Sequence, residues 1–148
     1  MDEYFARLEQ AFADYRRDLA AFELKKKPAS GLFGLGPKLQ DDACHDRLDE
    51  RLKETAEAMA AAGPSPQDAA RAVRMLLRPQ EGGAPWPLAA QWMLRAVERH
   101  VLPLVPFLSA QDAASFLRDY SARYRPWDRL PAQKEVFRAL TERAVGKS

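Results

Sequence analysis

Large apolar residues recur along most of this chain at alternating steps of three and four, the spacing that gathers side chains onto one face of an α-helix. Phe5, Leu8, Phe12, Tyr15, Leu19 and Phe22 make the cleanest seam. Asp2 is placed to cap its start, Lys25, Lys26 and Lys27 suit the negative end of its dipole, and Pro28 is placed to stop it. Cys44, Leu48, Leu52, Thr55, Met59 and Ala62 predict a second helix, capped by Asp41 or Asp42 and closed by Gly63. Ser65-Pro66-Gln67-Asp68 opens a third, with Ala69, Val73, Leu76 and Leu77 turned inward and Pro79 at its end.

The densest apolar stretch runs from Trp86 to Leu108, and the rest of the chain is expected to lean on it. It predicts a central helix that Pro87 starts and that Pro103 ends or bends near Val101. Gln91, Arg95, Glu98 and Arg99 share one narrow polar stripe. Leu88, Trp92, Met93, Leu94, Ala96, Val97 and Val101 cover the remaining circumference, the pattern of a helix packed on most sides. Ser109-Ala110-Gln111-Asp112 opens a fifth helix carrying Ala113, Phe116, Leu117, Tyr120 and Tyr124. Pro131 sits in the first turn of a sixth, with Val136, Phe137, Leu140 and Ala144 inside.

No segment alternates as a strand would, and Ala, Leu, Arg, Glu and Gln outweigh the β-branched residues. The expected fold is therefore all-α: about six helices in three antiparallel hairpins, forming one compact bundle over residues 1–148. A short HEAT-like array is the alternative. SPQDAARAV from Ser65 and SAQDAASFL from Ser109 align at an offset of 44 (109 minus 65), and Pro87 and Pro131 share that offset. Ser-x-x-Asp followed by Ala is also generic capping language, and no named family motif is present.

Composition narrows the picture only a little. At 148 residues the chain is long enough to fold without a metal or disulfide. Cys44, the single cysteine, excludes both an intrachain disulfide and an all-thiolate zinc site, and a reducing, cytoplasmic compartment is expected. The acidic start MDEYFARLEQ is unlike a signal peptide, and no apolar run is long enough to span a bilayer. The net charge is +2, but 13 of the 23 basic residues and only 8 of the 21 acidic ones lie beyond residue 62. This bias, with no recognised reader motif, does not point to nucleic acid, although RYRPWDR interleaves Arg with Tyr124 and Trp127.

Two groups of residues stand out as candidate sites. Residues 28–40, PASGLFGLGPKLQ, lack periodicity and hold Leu32, Phe33 and Leu35 among three glycines. They lack the spacing of a phosphate-binding loop. Leu35 is expected to plug the core, and Leu32 and Phe33 to dock on a partner. Arg71, Arg74 and Arg78 form a basic stripe on the third helix and join this partner-binding set. The second group is Asp41, His45 and Asp49, at successive steps of four, with His100 from the central stretch as a further imidazole. These oxygen and nitrogen donors suit a divalent cation, against a plainer reading in which the acids cap and pair and His45 is a hydrogen-bonded boundary residue. Cys44 lacks an activating base, because His45 projects about 100° away around the helix.

The expected function is a cytoplasmic, non-catalytic interaction or adaptor module that binds a protein partner. The alternative is a small-ligand or divalent-metal-dependent activity at Asp41, His45 and Asp49. No catalytic residue and no cofactor is assigned. Peripheral membrane contact and self-association stay open.

Overall fold

The computed structural model describes residues 1–29, 35–79 and 85–146, with side chains described for 1–21, 43–79 and 85–146. Among the described residues six α-helices follow one another: α1 Asp2–Ala29, α2 Leu35–Ala61, α3 Pro66–Leu77, α4 Leu88–Ala96, α5 Ala110–Arg123 and α6 Pro131–Ala144. Short 3-10 turns cover Val97–Val101, Val105–Phe107 and Pro126–Asp128, and no strand occurs among the described residues. The all-helical expectation holds. No helix among the described residues is long and apolar enough to cross a membrane.

Helices α1 and α2 pair along their length. Asp14 meets Arg51 and Asp18 meets Arg47, each at 2.6 Å, so partner numbers fall as positions rise and the pair is antiparallel. Phe5, Leu8, Phe12, Tyr15 and Leu19 of α1 are buried, as are Cys44, Leu48, Leu52, Thr55 and Met59 of α2, whereas Ala62 lies past the helix and is exposed. Helices α5 and α6 form the second hairpin. Arg143 near the end of α6 reaches back to the Leu108 carbonyl before α5 at 2.6 Å.

The expected α3–α4 hairpin takes another form. Helix α3 packs mainly on the turns Val97–Val101 and Val105–Phe107. The Val97–Val101 turn in fact touches α2, α3, α4 and α6, so the stretch on which the chain was expected to lean is the hub. Val97, Val101, Leu104 and Leu108 from this stretch are fully buried in the core shared by all six helices.

Several boundaries differ from those read from the sequence. Pro28 falls in the last turn of α1, one residue before its end. Helix α2 begins at Leu35, so Asp41 and Asp42 lie inside it and are not its caps. Pro37 is compatible with that start, because the first-turn nitrogens of a helix have no intrahelical acceptor. Gly63 closes α2 with φ at +68°, the left-handed conformation expected of it.

The largest difference is in the central stretch. The α-helix stops at Ala96 and continues as a 3-10 turn, in which each residue advances about 120° instead of about 100°. This change re-aims the polar stripe: Glu98, grouped in sequence with Gln91, Arg95 and Arg99, is only 1% exposed. Leu88, expected to be packed, is 90% exposed, and Trp92 is exposed as well. The helix is covered on fewer sides than its composition suggested.

Candidate functional site

Glu98 is the polar centre of the core. Its burial follows from the 3-10 turn that swings it between α5 and α6, and four donors meet it there. Tyr120 Oη donates to Oε1 at 2.7 Å, Tyr124 Oη to Oε2 at 2.9 Å and Gln133 Nε2 to Oε1 at 3.2 Å, while Arg123 Nη1 stands 3.4 Å from Oε2. Tyr120 lies in the last turn of α5 and Tyr124 is the extended residue that follows the helix, and from there both hydroxyls reach one carboxylate. The four contacts match the number of lone-pair sites a carboxylate offers.

Burial nonetheless holds Glu98 above the usual carboxylate range, against the opposing pull of Tyr120, Arg123, Tyr124 and Gln133. Burial, then the nearby Glu98 charge, raises both tyrosine hydroxyls above their ordinary value. These phenols therefore stay protonated as donors. A carboxylate so fully engaged serves to fix α4, α5 and α6 relative to one another.

Gln133 extends the network outward. Its Oε1 accepts from Arg95 Nε at 3.2 Å and from the Leu130 backbone nitrogen at 3.1 Å, which caps α6, while its Nε2 also donates to the Arg95 carbonyl at 3.0 Å. Arg95 lies over the Tyr124 ring at 4.7 Å and binds Asp128 through both its side chain and its carbonyl.

Above this network opens a cleft of about 670 Å³, within the size range of binding pockets. Trp86, Trp92, Leu94 and Leu130 give it apolar walls, and Arg95, Glu98 and Arg123 are its charged lining residues. Arg16 of α1 stacks on Trp86 at 4.0 Å, and the buried Trp86 Nε1 has no acceptor among the described residues. Trp92 rests edge-on against His45 of α2, with ring centroids 4.7 Å apart, and His45 Nδ1 is 2.6 Å from Tyr15 Oη. The α1–α2 hairpin thereby supports the cleft wall.

Of the five large apolar residues exposed among the described ones, two line this cleft and two more are their neighbours in sequence. Trp92 and Leu130 line it, Leu88 stands one turn before Trp92 on α4, and Trp127 belongs to the turn whose Asp128 holds Arg95. Val145 is the fifth. Sequence periodicity missed this surface because Leu88 and Trp92 were assigned to packing on hydrophobicity alone.

The residues singled out in the sequence are distributed differently. Leu32 and Phe33 lie outside the described residues, as does the side chain of Asp41. Arg71 stacks on Phe5 at 4.1 Å, Arg78 pairs with Asp119, and Arg74 is exposed. Two of the three guanidinium groups in the stripe are thus engaged within the protein.

Of the metal set, the structure brings Asp49 and His100 together: Nε2 of His100 lies 2.7 Å from Oδ1 of Asp49, which also accepts from Arg99 at 2.9 Å. This pair borders a second cavity of about 360 Å³ that Lys53, Glu57 and Leu102 also line. His45 is buried instead between Tyr15 and Trp92. No group of three His, Cys, Asp or Glu side chains among the described residues converges as metal ligands do.

Comparison with known proteins leaves the geometry to stand by itself: no protein-family model, no curated protein and no solved structure matches the chain.

Proposed function

We propose that this protein is a non-catalytic interaction module of the cytoplasm that docks a segment of a protein partner in the cleft between α4 and residues 123–130. The observation that carries this reading is that two exposed large apolar side chains, Trp92 and Leu130, line one cleft, with the exposed Leu88 one helical turn from Trp92 and Trp127 three residues from Leu130. Isolated exposed apolar residues are ordinary, but a group that rims a preformed cleft is the arrangement of an interaction site, and Trp is enriched among residues that dominate binding energy. Leu88 and Trp127 lie beyond the lining of the cleft, which suits a polypeptide that continues past it better than a small enclosed molecule. The cytoplasmic assignment rests on Cys44 being the single cysteine of the sequence, which leaves no intrachain disulfide to form.

Retention of proteins from the source lysate by immobilised wild type, compared with a Leu88→Ser, Leu130→Ser double variant, tests the proposal. Both side chains are exposed, so the variant should melt as wild type does. A stoichiometric partner retained by wild type and lost by the variant is expected. The same retention by both proteins would remove the cleft from the reading, and no retention by wild type would remove the reading itself.

A further inference from the structure

We infer that the second cavity, bordered by Asp49 and His100, is a binding site for a small primary amine in its protonated form, which donates an N–H to His100 Nδ1 and meets the carboxylates of Glu50 and Glu57. The site is separate from the cleft and does not rest on docking there. His100 lines this cavity of about 360 Å³ with a ring that is only 7% exposed. Asp49 Oδ1 accepts from Arg99, so it is an ionised acceptor toward His100 as well, and the ring proton lies on Nε2. Burial, the largest influence on the imidazole, lowers it below its ordinary value, so the ring is neutral at about pH 7 and Nδ1 carries a lone pair. That nitrogen has no hydrogen-bond partner among the described residues, and unlike Trp86 Nε1 it is not sealed from solvent. An acceptor fixed on a buried ring calls for a donor, so the ligand carries an N–H or O–H.

The charge of the lining selects between them. Three carboxylates, Asp49, Glu50 and Glu57, stand against two cations, Lys53 and Arg99. Arg99 answers Asp49 at 2.9 Å, which leaves Glu50 and Glu57 against Lys53. These three side chains are exposed, and none has an ion pair among the described residues. The nearest other cations of α2, Arg47 and Arg51, are turned to Asp18 and Asp14 of α1. One negative charge is therefore in surplus, and it favours a cationic donor. An alcohol would satisfy Nδ1 and leave the surplus, and a quaternary ammonium would answer the surplus and leave Nδ1 without a donor. A primary ammonium does both, and Leu102 and Pro103 offer contact to its aliphatic part.

The test follows the imidazole nitrogens of the isotope-labelled full chain by NMR at about pH 7.5, above the ordinary imidazole value, as n-butylammonium chloride is added. His45 and His100 are the only histidines, and His100→Gln identifies the second signal. A saturable shift of His100 Nδ1 is expected, weakening as salt rises from about 0.05 to about 0.5 M. Butyltrimethylammonium, with the same charge and no N–H, should bind at least about tenfold more weakly, and butanoate should not bind. Glu50→Gln and Glu57→Gln should each weaken the amine, whereas Lys53→Gln should tighten it by removing a like charge. Circular dichroism melts should show all three variants folded, since each replaces an exposed side chain.

No saturable shift at His100, a shift at His45 alone, or an equal response to butyltrimethylammonium or butanoate overturns the inference. Weakening by Lys53→Gln with no effect of either glutamate replacement also overturns it, by assigning the response to the chloride counter-ion.

Discussion

The Tyr120 hydroxyl donates a 2.7 Å hydrogen bond to Glu98 across 22 positions of sequence, and with it α5 is fastened to the 3-10 turn at the hub of the fold. The carboxylate is costly to bury, and each donor recovers part of that cost by favouring the ionised form. Gln133, fully buried, carries the connection on to Arg95 and so to the cleft wall. The charged network and the apolar rim are therefore two faces of one construction.

Tyr120→Phe keeps the ring that packs on Tyr124 and Phe137 and removes only the donor. The loss at neutral pH should be about 1.5–3 kcal/mol, the scale for a hydrogen bond to a charged group. Glu98 already sits above its usual range in the fold, so its contribution to stability falls as pH rises from that range through the raised value. Removing a donor that favours the carboxylate raises Glu98 further and steepens the fall. Denaturant melts should accordingly show a smaller loss near pH 4 than near pH 7, and a loss that is the same at both would contradict an ionised Glu98 at the centre.

His100 gives a pH dependence of opposite sign. Burial lowers its imidazole below the ordinary value, outweighing Asp49, which raises it, and Arg99 and Lys53 act in the same direction as burial. A depressed value means that the unfolded chain takes up the proton first. The stability tied to His100 is present above about pH 6.5 and is lost as pH falls through the folded value. His100→Gln keeps a donor able to reach Asp49 but removes the titration. Wild-type stability should drop more steeply than the variant's between about pH 7 and pH 5, with the Glu98 contribution common to both; parallel profiles would show that His100 does not titrate as its burial requires.

The core was legible wherever one face of a helix had to be buried. Phe5 to Leu19, Leu48, Leu52, Leu76, Val136 and Leu140 repeat at helical spacing because burial selects them, and all lie in the core. Leu88 and Trp92 broke the correspondence because nearly every position of their segment is apolar, so hydrophobicity could not say which side faced solvent. The burial of Glu98 was not legible because spacing rules assume a constant period, and the period changes at Val97. Two inward tyrosines at the end of α5, Tyr120 and Tyr124, with hydroxyls to satisfy were the signal that a buried acceptor had to exist. Asp49 and His100, 51 positions apart, were grouped from the sequence as metal ligands, and the structure brings them together as a direct pair instead.

The two serine caps were legible as well, and they supply the most direct test of local structure. Ser65 and Ser109 have extended backbones, and their hydroxyls accept from the third helical nitrogen, Asp68 at 3.1 Å and Asp112 at 3.0 Å. Each satisfies a donor that the helix start would otherwise leave without an intrahelical acceptor. Ser65→Ala and Ser109→Ala should each destabilise by about 1 kcal/mol, while Ser→Asp at either site should retain most of the stability by supplying another acceptor. The sites lie at the starts of separate helices, so the two alanine losses should add within roughly 0.5 kcal/mol. Denaturant melts of the single and double variants decide the matter: no loss from Ser109→Ala would place the start of α5 elsewhere, and equal losses from Ala and Asp would mean that the hydroxyl acts through something other than the acceptor it presents to the helix.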